Sequence, residues 1–260
     1  MEDIRRATRR YEQWLGGLIP LVAADLREKH ARMRLGPFFF MRATFYRWCQ
    51  LWRAKAHDLG EAARAAPVAA VGDLHLENFG TWRDSDGRLI WGINDFDETT
   101  TLPWTQDLVR LAASAHLAIF ADHIAVRRRT ACGAILEGYR AGLEAGGKPF
   151  VLEETHGWLR RVATGELRHP TAFWAKMDAL RPASAVDRGA RAAITGAMPA
   201  GGLTIRFARR VAGLGSLGRP RFVGIADWLG GRVAREAKAT APSAWVWAGD
   251  ADGDGVDRYT

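Results

Sequence analysis

The sequence predicts an α+β protein: helices fill most of the first two hundred residues, a short strand and a hairpin interrupt them, and an antiparallel meander follows. Three observations predict it. Apolar residues recur at helical spacing from Ile4 to about Asp58 and again from Thr105 to about Ala125. Between those stretches stand a short apolar run and two β-rich segments flanking a turn. After Pro199 the character shifts to extended segments separated by glycine-rich turns.

Each element has a local reason. In the first stretch, Pro37 ahead of Phe38, Phe39 and Phe40 breaks the pattern into at least two helices. Val68 to Val71 is an apolar run ending at Gly72, which predicts a strand and a loop. FGTWR and RLIWGIN flank the turn-forming residues Asp84, Ser85, Asp86 and Gly87, which predicts a hairpin. In the next helix Leu108, Leu111, Ala112, Ala115, Ala118 and Ile119 share a face for burial. Helices are expected to continue through Ala197, with breaks near Gly146, Pro149 and Pro182. LTIRFARRVA, RPRFVGIADW and RVAREAKA then predict a three-stranded meander, followed by a polar tail from Gly249 to Tyr259. The expected organisation is a mainly helical unit over 1–200, a small β unit over 201–248 and a tail over 249–260.

With 260 residues, 48% of them apolar, the chain can bury one large core or two smaller ones sharing a cleft. Charges interrupt the N-terminal apolar residues too often for a signal peptide, and no later stretch is long and clean enough to span a bilayer. A cytoplasmic protein without membrane attachment is expected. Cys49 and Cys132 lie far apart and outside any CxxC or Cys/His cluster, which points to free thiols. The formal charge of +8 suits nucleic acid, an anionic membrane or a polyanionic small molecule such as a nucleotide. Arginine supplies nearly all of it, lysine being confined to Lys29, Lys55, Lys148, Lys176 and Lys238.

Strand, GDLHLENFG, hairpin and INDFDE are expected to gather Asp73, His75, Glu77, Asn78, Asp95, Asp97 and Glu98 around the ends of adjacent strands. Phosphoryl transfer explains such a gathering. An Asp positions the attacking hydroxyl and accepts its proton, an Asn five residues on holds Mg²⁺, and a second Asp after a hairpin bridges that metal to the phosphates. On this reading Asp73 is catalytic with His75 beside it, and Asn78, Asp95 and Asp97 are the metal-binding candidates. The same residues also suit turns and caps. A DxH pair at Asp73 and His75 invites a dinuclear phosphatase reading, but no GNH element follows, and His116, His123, His156 and His169 fall in helix-like sequence.

A second constellation lies in the meander. GLGSLG places Gly213, Gly215 and Gly218 in a GxGxxG pattern with Ser216. Pro220 and the extended residues after it exclude the helix that a dinucleotide fingerprint requires. A glycine-rich loop between antiparallel strands, with Lys238 near the end of the third strand, suits a nucleotide whose phosphates are covered by backbone NH groups and clamped by the lysine. A plain hairpin turn with an edge lysine is the structural alternative.

GPFFFMR, VGDLHLENFG, INDFDET, PWTQDLVRLAAS, RRVAGLGSLG and KATAPSA together resemble the bacterial domain of unknown function 2252 family, itself similar to the aminoglycoside and choline kinase branch of the kinase-like fold. The resemblance spans roughly residues 30 to 244. It implies a two-lobed kinase-like fold, Asp73 as catalytic base, Asn78 and Asp95 as metal ligands, and Asp107 as a structural anchor. It also implies that Lys238 and Gly213 to Gly218 contact ATP. Kinases place the glycine-rich meander before the catalytic loop, so the order here implies a circular permutation. The expectation is an ATP- and Mg²⁺-dependent phosphotransferase acting on a small-molecule hydroxyl acceptor. The rivals are an idle nucleotide-binding module, an adenylate transferase and, more distantly, a nucleic-acid binder.

Overall fold

A computed structural model describes residues 2–121, 124–152, 156–164 and 170–249. The structure is mixed α+β with small antiparallel sheets. Its N-terminal region folds as helices α1 (Ile4–Leu18), α2 (Ala23–Arg32), α3 (Pro37–Ala43), α4 (Phe45–Ala54) and α5 (Ala56–Leu59). Asp3 caps α1 by accepting from the Arg5 amide, and Pro37 opens α3, where its missing NH costs nothing. Tyr11 and Leu15 of α1 pack on Phe45, Tyr46 and Cys49 of α4, and the two tyrosine rings stack at 4.5 Å.

The expected strand at Val68 to Val71 forms as β1 (Pro67–Ala70), and the hairpin as β2 (Phe79–Arg83) and β3 (Leu89–Ile93). They do not sit side by side in one sheet as expected. β1 pairs antiparallel with β4 (Thr100–Pro103), four residues too short and too polar to stand out in the sequence, while β2 and β3 form a separate sheet. The polar residues therefore meet across two sheets rather than at neighbouring strand ends. Helix α6 (Trp104–Ala121) follows, then α7 (Arg128–Glu144). The run of helices expected up to Ala197 is broken by β5 (Phe150–Val151), which pairs with Ile90 and Trp91 of β3. It resumes as α8 (Gly157–Ala163), α9 (Pro170–Asp178) and α10 (Arg188–Gly196). His123, His169 and the polar tail beyond Gly249 lie outside the described residues.

The meander forms as β6 (Arg206–Arg209), β7 (Arg221–Trp228) and β8 (Gly231–Lys238), in sheet order β6, β7, β8. α10 covers one face through Ala190 and Ile194, against which Phe207, Phe222 and Ala237 pack. A last helix, α11 (Ala244–Ala248), returns to the N-terminal helices and buries Trp247 edge-on against Tyr11 and Tyr46. The meander is thus tied at its end to the helical core. No helix among the described residues is long and apolar enough to cross a membrane.

Candidate functional site

The loop after β1 begins at a glycine because the backbone requires one. Gly72 has φ +83°, and a Cβ there would stand 2.5 Å from the carbonyl oxygen of Glu98. The Asp107 carboxylate fixes this turn, accepting from the Val71 amide at 2.7 Å and the Gly72 amide at 2.8 Å. Asp107, Arg110 and Ser114 recur at three- and four-residue spacing, so α6 presents all three on the face toward the loop. Ser114 Oγ in turn accepts from the Leu76 amide at 3.1 Å.

Arg110 is wholly buried, with Nε 2.7 Å from Asp73 Oδ1, Nη2 also on that oxygen, and Nη2 donating to the Met41 carbonyl at 2.9 Å. Phe45 and Trp48 flank its guanidinium. Burial pushes the Asp73 carboxyl up to about 6, and Arg110 opposes that rise. The other carboxylate oxygen, Oδ2, faces the glycine turn, where a Cβ at Gly215 would lie 3.4 Å from it.

Asn78 and His75 are both buried, and Asn78 Oδ1 accepts from the His75 amide at 2.7 Å. His75 Nε2 accepts from Arg42 Nε at 3.3 Å, and Arg42 also pairs with Glu77. Burial first, then Arg42 and Arg110, push the His75 pKa down to about 3. The ring is therefore neutral near pH 7, with Nε2 accepting from Arg42. Arg110 takes one oxygen of Asp73 and Arg42 one ring nitrogen of His75, and among the described residues no cluster of ligands suits a dinuclear site.

The three acids after β3 diverge. Asp95 is half exposed; Asp97 pairs with Lys238, whose Nζ also lies 3.9 Å from Asp95 Oδ1. Glu98 accepts from Arg219 Nη2 at 2.9 Å and from the Ala244 amide, at the start of α11, at 2.6 Å. Lys238 sits at the end of β8, opposite Arg221 of β7, as the sequence predicts. Its partner in this arrangement is a carboxylate.

The glycine turn is packed down rather than free. Gly213 (φ +74°) and Gly218 (φ +103°) supply the left-handed positions, and Leu214 and Leu217 are buried against Ala43. Lys29 Nζ donates to the Gly215 carbonyl at 2.7 Å, the Val22 amide to the Gly218 carbonyl at 2.8 Å, and Arg221 to Ser216 Oγ at 3.1 Å.

One cavity gathers Asp73, Asn78, Asp95, Asp97, Gly215 and Ser216, together with Lys29, Arg42, Glu98 and Arg219. His75, Gly213, Gly218 and Lys238 stand outside its lining. Lys29, Arg110 and Arg219 are not singled out by the sequence, where arginines are too common and helical lysines too ordinary, whereas Arg42 stands among the pocket-lining candidates that motif order suggests. Among the described residues no three His, Cys, Asp or Glu side chains group as a metal site. The donor set suits a hard divalent cation that takes its other ligands from phosphate and water: Asn78 supplies an amide oxygen and Asp95 an unburied carboxylate. The cavity has about 30 Å³ of usable space, too little for a whole nucleotide in this arrangement.

Residues 21–190 match a family described as an uncharacterized protein conserved in bacteria (DUF2252), a span that holds Asp73, Asn78, Asp95, Asp107 and Arg110 and ends before the glycine turn and Lys238. No curated protein and no solved structure matches the chain. With about two thirds of its length inside that match, the chain belongs to the DUF2252 family of uncharacterized bacterial proteins.

Proposed function

We propose that this protein is an ATP- and Mg²⁺-dependent phosphotransferase with a circularly permuted kinase-like fold, acting on a small-molecule hydroxyl. In this reading residues 1–200 form the catalytic lobe and 201–248 the small nucleotide lobe. One observation carries it: Asp107 fixes the two amides just ahead of Asp73, so that Asp73, Asn78 and Asp95 converge on one cleft under a glycine-rich turn. The metal, when bound, neutralises charge on the phosphates. Asp73 orients the acceptor hydroxyl and takes its proton, while Arg110 holds the carboxylate in place. Asn78 and Asp95 supply oxygens to the cation, and Lys238 turns from Asp97 to the nucleotide.

The residue types serve adenylate transfer equally well, because what differs is which phosphorus is attacked. A catalytically idle binding module is favoured by a specific feature, the occupation of Asp97 by Lys238 together with the narrow cleft. The two readings separate on Asp73→Asn. An enzyme loses turnover of ATP with a suitable acceptor while keeping nucleotide affinity. Turnover unchanged by the substitution removes Asp73 from the chemistry.

A further inference from the structure

The cavity beside Asp73 is walled on one side by cations with donors to spare. Lys29 is only 5% exposed, and its ammonium, with three donors, is bonded to a single oxygen, that of Gly215 at 2.7 Å. Asp73, Glu98 and Glu12 act on it electrostatically, yet none forms an ion pair with it among the described residues. Burial first, then the Arg219 charge beside it, push its pKa down to about 8. Arg219 is equally buried; Nη2 is taken by Glu98 and the Tyr11 hydroxyl lies beside the guanidinium, whereas Nη1 makes no well-formed hydrogen bond among the described residues. A buried donor left unpaired is costly, so Arg219 Nη1, lining the same cavity as an ammonium with two further donors on Lys29, calls for an anion. That space, about 30 Å³ for the centres of water-sized groups, holds a few such groups. This suits one tetrahedral oxyanion and excludes a whole nucleotide.

We infer that Lys29 and Arg219 form an anion subsite under the glycine turn that takes a single phosphate group opposite Asp73. The identity of the anion as the terminal phosphate of a nucleotide rests on the phosphotransfer reading; the subsite itself does not. Lys29, fixed to Gly215, is then the lysine already placed for phosphate, whereas Lys238 must first leave Asp97.

The test is titration of the full chain with inorganic phosphate and, separately, with Mg²⁺ and ATP, following melting temperature and the phosphorus NMR line width. Phosphate should bind saturably without metal. Lys29→Met should weaken it about tenfold or more, the loss of one charge-assisted hydrogen bond. Lys29→Arg should keep part of the affinity. If Lys29→Met does not fold by circular dichroism, Arg219→Lys, which keeps a charge beside Glu98 and removes Nη1, must show the loss instead. Unchanged phosphate affinity in the folded variants overturns the subsite, as does a shift that never saturates or that any salt reproduces, which marks an adventitious ion only. Phosphate binding that needs Lys29 without any response to Mg²⁺ and ATP keeps the subsite and removes the nucleotide. A nucleotide response with phosphate affinity indifferent to Lys29 does the reverse.

Discussion

Asp107 commits both carboxylate oxygens to the Val71 and Gly72 amides, so its loss leaves two donors unpaired at a strained glycine. Asp107→Ala should cost about 2–4 kcal/mol in urea denaturation, the penalty for two buried donors, and should speed hydrogen exchange at Gly72. Wild-type stability and exchange in the variant would show that the loop is held by something else. Asp73 carries the pH prediction. Its carboxyl is pushed up to about 6, so it is protonated and useless as a base below that pH and becomes available above it. Activity expressed as kcat/KM should rise with pH through about 6 and flatten. An acid limb near the ordinary carboxylate value, or none, would assign the base to another group. The residues that carry this account were unequally legible. Asp73, Asn78, Asp95 and Asp107 stand in motifs whose spacing has a chemical reason. Arg110 and Ser114 were invisible because their role depends on which face of α6 meets the loop, and only the packing shows that.

Elements were legible where their pattern was long and hidden where pairing made them. The 3.6-residue period of α1 and α6 and the turn between β2 and β3 follow from local sequence. β4 and β5 exist because β1 and β3 offer them partners, and nothing within TTLP or the dipeptide of β5 announces a strand. The glycine turn follows from its sequence, but its packing on Ala43 through Leu214 and Leu217 depends on a helix about 170 residues earlier in the chain. α11 was likewise hidden, lying between the expected meander and the expected tail from Gly249. Its five residues bury Trp247 against Tyr11 and Tyr46, and its first amide meets Glu98. Trp247→Ala should therefore destabilise the whole chain by about 3–5 kcal/mol in chemical denaturation. A change below about 1 kcal/mol, the scale of an ordinary surface substitution, would show that α11 is not part of the core.

At the scale of the molecule, the meander and the helical region meet through ion pairs that use the candidate site's own acids: Lys238 with Asp97, and Arg219 with Glu98. Glu98 and Arg219 are both largely buried, and Lys238 and Asp97 tie the end of β8 to the loop after β3. Lys238→Ala should leave Asp97, which lines the cavity, without its cation. It should also weaken nucleotide binding in equilibrium titration, and an unaltered nucleotide affinity would remove Lys238 from the site. The central claim is that a metal–nucleotide complex binds between these two parts. A ligand that binds only the folded state raises its melting temperature. The direct test is the melting temperature of the chain with ATP, with Mg²⁺ and with both. The account predicts a rise that needs both together and disappears in Asp95→Ala; no shift at millimolar nucleotide, or one indifferent to Mg²⁺ and Asp95, would contradict it.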